Sequence, residues 1–456
     1  MKIFNTLSGK KEIFEPIEDN KIRMYVCGMT VYDDTHIGHA RTFLSFDLIV
    51  RYLRSIDYEV QYIRNITDVD DKIIARSEEL NISPSELTKD CINSMHDDFQ
   101  ALGMISPDAE PRATENIDSI ISLITKLIDK GHAYVSESDV YFSTESFEEY
   151  GKLSKRKLED MLSGARIDID LDKKNPADFV LWKKDTEGLK WDSPWGPGRP
   201  GWHIECSAMS MDALGETFDI HGGGSDLKFP HHENEIAQSE CVTGKEFAKV
   251  WMHTGSLRID EQKMSKSLKN FITIKEALNE SSSEVLRFFL ISSHYRSPLN
   301  YSDEGLKEAK NSLDRLYNSL QDLSYETDEH IPSEYSEKFH DAMQDDFNSP
   351  SAISVLFEMV KQINILKKED QLTHANALAS ELISLSNILG ILSENPEEYF
   401  TSGINLSNED IEQAIERRNK ARQEKDFELS DKIRDDLLKE GIILEDKGTK
   451  TIWKKS

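Results

Sequence analysis

Two short segments of the chain carry side chains suited to handling a phosphate. The first is His36-Ile37-Gly38-His39, and the second, far along the chain, is Lys263-Met264-Ser265-Lys266-Ser267. Attack on a phosphate of ATP builds up negative charge, so a catalyst needs hydrogen-bond donors on one side and mobile cations on the other. The histidine segment can supply the donors and the lysine segment the cations. Either segment alone is also typical of a solvated surface loop, but both together indicate a nucleotide site.

We therefore predict a catalytic set and an ATP-binding set from these segments. The catalytic residues are His36, His39, Lys263 and Lys266; Gly38 and Ser265 join them in binding ATP, which enters as its Mg²⁺ complex. The glycine between the histidines lets the backbone approach a phosphate closely.

The surrounding pattern predicts the elements that position the histidines. Lys21 to Val26 is typical of a strand, Ile37 to Ser55 has apolar residues at helical spacing, and Tyr58 to Ile66 alternates like a second strand. Strand, helix and strand form the unit from which parallel sheets are built. The histidines then lie at a helix N-terminus, which favours phosphate. No Gly-x-Gly-x-x-Gly fingerprint follows the first strand, so an ordinary dinucleotide fold is not indicated.

The length and the later patterns predict several domains. At 456 residues the chain is too long for one core. The predicted fold class is α/β: a Rossmann-like parallel-sheet core split by an insertion, then an α-helical bundle and a small C-terminal α+β domain. The predicted bounds are 1–132 for the first half of the core, 133–200 for the insertion and 201–255 for the second half. They are 256–305 for the junction around the lysine segment Lys263–Ser267 (the lysine loop), 306–402 for the bundle and 403–456 for the last domain. In the insertion, one strand is expected at Val140 to Phe142.

Composition narrows the class of protein. The chain has 55 basic and 84 acidic residues, a formal net charge of −29, which argues against general attraction to nucleic acid and against a DNA partner. No secretory signal or membrane-spanning run is evident, so we expect a cytoplasmic protein with no membrane partner. The four cysteines are widely spaced and form no disulfide framework. With no coiled-coil heptads, a monomer is expected.

Four further residues have the chemistry of a metal site. Cys27 ends the first predicted strand, Cys206 lies in a later segment, and His231 and Glu235 are four apart on one helix face. Two thiolates, an imidazole and a carboxylate can bind zinc tetrahedrally. Because only the last two residues are close in sequence, the spacing alone favours two buried free thiols and a helix-start histidine over a metal site. His232 is a neighbouring candidate ligand.

Several longer segments resemble those of cysteinyl-tRNA synthetases, a family of class I aminoacyl-tRNA synthetases. They are Val26 to Asp33 leading into the histidines, Asn65 to Lys72, Trp195 to His203, Phe229 to Glu235, Asp346 to Asn348, and Asp431 to Asp435. The similarity extends over essentially the whole chain. It differs at Lys269, where many members have glycine, which leaves the kinetics of the lysine loop open.

The resemblance implies the site residues and the reaction. Cys27, Cys206, His231 and Glu235 would bind one zinc ion per chain; Gly28, Thr67, Trp202, His221 and Asp226 would bind the amino acid. Zinc favours a thiolate over a hydroxyl, so the metal would select L-cysteine without a proofreading domain. The implied enzyme is a cysteine–tRNA ligase that forms cysteinyl-adenylate and pyrophosphate and then charges tRNA(Cys).

For the RNA partner the resemblance implies an anticodon contact in the last domain. Arg418, Arg422, Arg434 and Trp453 are the predicted tRNA-binding residues, since unpaired bases stack on aromatic rings and bond to arginine. Two alternatives stay open. One is an ATP-dependent ligase that transfers cysteine to a small amino sugar, and the other is a non-catalytic RNA- or zinc-binding relative.

Overall fold

The computed structural model describes residues 1–137, 139–156, 172–185, 188–201, 203–259, 262–263, 271–325, 333–401, 408–439, 441–447 and 450–455. The chain divides into two compact units. The first comprises Met1–Ser312, Ile331–Glu358 and Ser384–Ile391, and the second comprises Leu313–His330, Met359–Ile383 and Leu392–Ser456. Each unit is described by itself.

Within the part of the chain that the structure describes, the strands are short and lie in five sheets. They are β1 (Lys2–Asn5), β2 (Lys10–Ile13), β3 (Lys21–Val26), β4 (Glu59–Arg64), β5 (Ala133–Ser136), β6 (Asp139–Phe142), β7 (Phe179–Lys184), β8 (Gly198–Pro200), β9 (Phe218–Gly224), β10 (Ala248–Thr254), β11 (Leu257–Ile259), β12 (Gln262–Lys263), β13 (Leu299–Tyr301), β14 (Ile442–Lys447) and β15 (Lys450–Lys455).

The described helices alternate with strands in the first 300 residues and dominate the rest. They are α1 (Ile37–Ser55), α2 (Asp71–Leu80), α3 (Pro84–Ala101), α4 (Ile117–Asp129), α5 (Ile204–Leu214), α6 (Glu233–Thr243), α7 (Ile274–Glu280), α8 (Ser283–Ile291), α9 (Asp303–Leu320), α10 (Glu334–Gln344), α11 (Ser349–Lys368), α12 (Leu372–Ile388), α13 (Pro396–Thr401), α14 (Asn408–Gln423) and α15 (Phe427–Lys439). A single π-helical turn, Lys228–His232, directly precedes α6.

The central sheet of the first unit is parallel, in the order β10-β9-β3-β4. Its inner strands are buried, which is why Ile22, Met24 and Val26 of β3 are all apolar. The predicted strand at Lys21–Val26 and the predicted helix at Ile37–Ser55 are confirmed. The chain leaves β3 toward β4 and returns on the other side of β3 as β9. The carboxyl ends of β3 and β9 therefore flank a crevice, the usual position of a ligand site in such sheets.

Helix α1 packs closely on this sheet because β9 ends in glycines. A Cβ atom on Gly222 would overlap the ring of Phe46, a fully buried residue of α1. Gly222 thus keeps α1 against the strand next to the crevice.

The insertion contains more strand than the sequence pattern indicated. One strand was expected at Val140 to Phe142, and β6 confirms it, but β5-β6-β7-β8 form a four-stranded antiparallel sheet. Strand β8 (Gly198–Pro200) contains the two residue types that usually mark turns, so local pattern gave no signal for it.

The first strand of the chain is tied to residues much later in sequence. The Asp346 amide donates to the Lys2 carbonyl at 2.8 Å, and Asp346 Oδ1 accepts from the Phe4 amide at 2.9 Å. Asp346 is fully buried and also accepts from Tyr295 and Arg296. Completion of β1 therefore requires the segment around residue 346.

The second unit ends in a small helix-and-hairpin domain. Helices α14 and α15 pack with the antiparallel pair β14 and β15 around six buried side chains: Ile411, Ile415, Ile433, Leu437, Ile442 and Leu444. Helix α15 and the β14–β15 hairpin confirm the α+β class predicted for this C-terminal domain. Among the described residues of both units, no helix is long and apolar enough to cross a bilayer.

Candidate active site

A cavity of about 360 Å³ lies at the carboxyl ends of β3 and β9. Its wall brings together many residues that the sequence singled out: Cys27, Gly28, His36, His39, Thr67, Cys206, Asp226 and His231. The remaining predicted pocket residue that the structure describes, His221, lies buried in β9. Trp202, Ser265 and Lys266 fall outside the described residues. Lys263 ends β12, and its side chain is not described.

The two histidines of the cavity form the N-terminal cap of α1. His36 Nδ1 accepts from the His39 amide at 3.2 Å, and His39 Nδ1 accepts from the His36 amide at 3.4 Å. Their rings stack at 3.5 Å. In a neutral imidazole, a nitrogen that accepts leaves the proton on the other nitrogen. The cap therefore fixes both histidines as Nε2–H donors, the form that can bond to a phosphate oxygen.

The segment after the lysine loop is hydrogen-bonded to this histidine turn. The Ile37 amide donates to the Ile272 carbonyl at 3.1 Å, and the Ile274 amide donates to the Thr35 carbonyl at 3.0 Å. The Phe271 ring meets the His36 ring edge-on at 4.6 Å. The described residues that follow the lysine segment, 271–274, are thus attached to the histidine turn.

On the other side of β3, a tight crossing of two loops shapes the cavity. The Gly28 amide donates to Asn65 Oδ1 at 2.8 Å, and a Cβ atom on Gly28 would overlap the Asn65 carbonyl oxygen. Asn65 Nδ2 donates to Thr67 Oγ1 at 3.3 Å. The loops after β3 and β4 are therefore locked together, which explains why glycine occupies position 28.

Cys27, Cys206 and Glu235 converge in a buried cluster beneath this crossing. Their donor atoms and one from His203 all lie within 4.8 Å of one another. The Cys27 thiol donates to Glu235 Oε1 at 3.3 Å, and His203 Nδ1 lies 2.7 Å from the same oxygen. Donors around tetrahedral zinc are about 3.3–3.8 Å apart, so small movements of these side chains would close them on an ion. The donor set fits zinc.

The electrostatics of the cluster agree with a cation site. Burial, together with Cys206 and Glu235, raises the pKa of the Cys27 thiol well above its ordinary value. The protein alone therefore disfavours a thiolate here, whereas a divalent cation would stabilise one.

The sequence did not single out His203, and it is His203 rather than His231 that belongs to the described donor cluster. His231 lines the cavity, and its ring centroid lies 4.4 Å from that of His203, but it belongs to neither group of clustered donors among the described residues. Burial lowers the pKa of His231 to about 3, which keeps it neutral and able to coordinate. The missed signal for His203 is its spacing, three residues before Cys206 at the start of α5.

Further buried histidines lie next to the cluster. His221 Nε2 lies 2.7 Å from Glu235 Oε2, and His232 Nδ1 lies 3.0 Å from His253 Nε2. With Cys27 and Glu235, His221 and His232 form a second group of clustered donors. Such partners orient the first ligands of a metal. His221, which was predicted to bind the amino acid, is thus also placed to orient the Glu235 carboxylate.

Glu205 is a further cavity residue that the sequence did not single out. It lies in the wall of the cavity, and burial raises its pKa to about 7. Only its position beside Cys206 in the sequence could have pointed to it.

In the second unit, the four predicted tRNA-binding residues have different environments. Arg418 is 5% exposed and bonds to Asp446 through both terminal nitrogens at 2.9 Å. Arg422 also bonds to Asp446, at 2.7 Å. Trp453 packs against the small core, and Arg434 is exposed. Both terminal nitrogens of Arg418 are thus engaged within the domain.

Comparison with known proteins gives the family. Residues 13–311 match the tRNA synthetases class I (C) catalytic domain, and residues 338–393 match the DALR domain. Proteins named cysteine–tRNA ligase from Hahella chejuensis and Haemophilus influenzae are 54% and 53% identical, over 100% of this chain and of theirs.

Solved structures with lower identity share the fold. Methionyl-tRNA synthetase of Mycobacterium tuberculosis superposes with a TM-score of 0.61 at 16% identity, over 83% of this chain and 95% of that one. A putative arginyl-tRNA synthetase from Campylobacter jejuni gives 0.55 at 13% identity, over 84% and 95%. With its parallel sheet and its full-length similarity to these ligases, the chain belongs to the cysteine–tRNA ligase family of class I tRNA synthetases.

Proposed function

We propose that this enzyme activates L-cysteine with Mg·ATP and transfers the cysteinyl group to tRNA(Cys). A carboxylate oxygen of cysteine attacks the α-phosphorus of ATP, the bond to the β-phosphate oxygen breaks, and pyrophosphate leaves. The 2′-hydroxyl oxygen of the tRNA's terminal adenosine then attacks the carbonyl carbon of the adenylate, the bond between that carbon and the phosphate oxygen breaks, and AMP leaves with the hydroxyl proton released. The observation that carries the proposal is that the capped histidine pair and the thiol cluster share one cavity.

In the first step the histidine pair stabilises the charge that develops on phosphate. Both Nε2–H groups are already oriented by the α1 cap, so no reorganisation is needed as charge builds up. Lys263 and Lys266 would supply the cations. Thr67, Trp202, His221 and Asp226 would hold the amino acid, and positioning rather than a general base accounts for the rate.

Selection of cysteine would rest on zinc held by Cys27, Cys206, Glu235 and an imidazole. When bound, zinc would supply a cation that favours the substrate thiolate over the hydroxyl of serine. The two candidate imidazoles are His203, within the donor cluster, and His231, beside it. The burial of Cys27, Cys206 and Glu235 keeps water from competing for the ion.

The tRNA contacts, the monomeric state and a cytoplasmic location remain proposals. In the small C-terminal domain, Arg434 is exposed, and the Arg422 side chain is 47% exposed although it pairs with Asp446. These two are therefore better candidates for direct RNA contact than Arg418. The six-domain division given above likewise remains a proposal.

ATP–pyrophosphate exchange on metal-quantified protein tests the activation step. We expect exchange with cysteine but not with serine or methionine, with one zinc per chain. Exchange with another amino acid would refute selection by the thiol cluster. Exchange with cysteine but no charging of tRNA(Cys) would instead favour a small-molecule acceptor such as an amino sugar.

A further inference from the structure

Arg41 is a fully enclosed cation in the same helix as the catalytic histidines. It lies two residues after His39 in α1, and it is 2% exposed. Burial lowers its pKa to about 10, and among the described residues no carboxylate pairs with it. A buried charge without a counter-ion is costly unless other groups solvate it. The groups that bond to Arg41 therefore identify the part of the fold that it stabilises.

Those groups are backbone carbonyls at the end of α8 and in the turn that follows. Arg41 Nη1 donates to the Leu290 carbonyl in the last turn of α8, and Nη2 donates to the His294 carbonyl at 2.7 Å. Longer bonds reach the carbonyls of Ser293, at 3.3 Å, and Ser297, at 3.4 Å. Carbonyls at a helix C-terminus lack partners within the helix and carry partial negative charge. Arg41 satisfies them with a fork that a lysine lacks.

The turn bonded to Arg41, Ser293–Ser297, also lies against the residues that lead into β11. The Gly255 amide donates to the Tyr295 carbonyl at 2.7 Å, and the Leu299 amide donates to the Ser256 carbonyl at 3.1 Å. Directly afterwards β11 pairs in parallel with β13 and antiparallel with β12, which ends at Lys263. A Cβ atom on Gly255 would overlap the Ser297 carbonyl, so this contact tolerates no side chain.

The other end of the lysine loop reaches the same helix. Residues 271–274 bond to the histidine turn as described above, and α7 and α8 follow directly. A buried ion pair, Arg287 of α8 with Asp47 of α1, joins the two helices further along. The described residues on either side, 255–259 and 262–263 on one and 271–274 on the other, are therefore all tied to α1, the first set through the turn bonded to Arg41.

We infer that Arg41 is a positioning residue that fixes β11 and β12, and with them the backbone at Lys263, relative to the histidine pair through the turn at Ser293–Ser297. This inference rests on the proposed function. Displacing reacting groups by about 1 Å can cost on the order of 100-fold in rate. Loss of the Arg41 contacts should therefore lower kcat for adenylate formation and leave the thiol cluster and the binding of cysteine unchanged.

The test compares Arg41→Met and Arg41→Lys with wild type in cysteine-dependent pyrophosphate exchange. We expect kcat to fall about 10- to 100-fold in Arg41→Met and less in Arg41→Lys, which keeps the charge. KM for cysteine and the zinc content should stay within about twofold. Arg54→Met, in the same helix but bonded to Val60 and Asp108, is the matched control and should keep wild-type kcat.

Gly255→Ala provides a second variant in which Arg41 itself is intact. It should show the same fall in kcat, with KM for cysteine and zinc content unchanged, and it keeps the inference testable if Arg41→Met does not fold. A folded Arg41→Met with wild-type kcat would overturn the inference. So would a joint loss of kcat, cysteine affinity and zinc, which indicates general damage. If wild type fails to exchange, it is the proposed function that fails.

Discussion

At the scale of single residues, the histidine pair caps a helix and, in the proposed function, also donates to phosphate. Each ring uses Nδ1 to cap α1 and so keeps its proton on Nε2. The two rings are therefore oriented without further supporting residues. A substitution at either position would also remove part of the cap of α1.

We expect His39→Asn to slow adenylate formation about 100- to 1000-fold while zinc stays bound, because one prearranged phosphate donor is removed. Single-turnover formation of cysteinyl-adenylate measures the rate, and metal analysis provides the control. Retention of wild-type activity would remove the phosphate role assigned to His39.

The identity of the fourth metal ligand is also a question about single residues. His203→Ala and His231→Ala should differ in zinc content, since only the ligating imidazole leaves an open position when removed. Because substituting a residue that only hydrogen-bonds to a ligand still costs about 10- to 100-fold in metal affinity, zinc is best titrated against a competing chelator. The variant with the larger loss identifies the ligand; equal, small losses would contradict a four-protein-ligand site.

At the scale of elements, the position of α1 depends on a missing side chain in the neighbouring strand. Gly222 lies in β9, and the ring of Phe46 occupies the space that a side chain at position 222 would need. The helix that carries both the histidine pair and Arg41 is thus placed by one glycine.

Gly222→Ala should lower stability by about 1–3 kcal/mol, because the added methyl overpacks the α1–β9 contact. Thermal unfolding of the single variants and of Gly222→Ala with Phe46→Leu measures the coupling. The shorter leucine should recover part of the loss. Strict additivity of the two single effects would show that the overlap is relieved elsewhere.

In the small terminal domain, one buried arginine links α14 to the hairpin. Hydrogen bonds from Arg418 hold the pKa of Asp446 well below its usual range. A carboxyl with a depressed pKa in the folded state adds stability above its unfolded pKa, near 4, and loses it as pH falls through the folded pKa.

Arg418→Met should therefore destabilise this domain by about 1–3 kcal/mol at neutral pH, because it removes the bonds to Asp446. The variant should also lose less stability than wild type on acidification below about pH 4. Hydrogen exchange of peptides from residues 408–455 in the full-length chain measures the first effect, and thermal unfolding against pH the second. Unchanged exchange with weaker tRNA charging would instead support direct RNA contact by Arg418.

At the scale of the whole molecule, sequence predicted what is local and missed what depends on distant packing. Strand Lys21–Val26 and helix Ile37–Ser55 carry strong periodic patterns, and both are confirmed. The insertion sheet was mostly missed because strand β8 has turn-like residues and is stabilised by its partner β7. The pairing of His203 with Glu235 joins residues 32 apart, which no helical spacing encodes.

Resemblance to a family supplied the metal candidates that spacing alone left open. Cys27 and Glu235 are 208 residues apart in sequence, and only the fold brings their side chains within hydrogen-bond distance. Arg41 gave no signal at all, since an arginine beside a histidine motif in an amphipathic helix is ordinarily solvent-exposed. Its burial becomes evident only once the end of α8 is in place.

The link between β1 and Asp346 has a consequence for how the chain is made. Phe4 and Asp346 are 342 positions apart, so the first strand leaves the ribosome long before its partner exists. At roughly 5–20 residues per second, that wait lasts about 17–70 s. Throughout that time the amino-terminal segment has unsatisfied backbone groups and apolar side chains in the presence of ribosomes and chaperones. The first unit can therefore close only late in translation, after most of the enzyme has been synthesised.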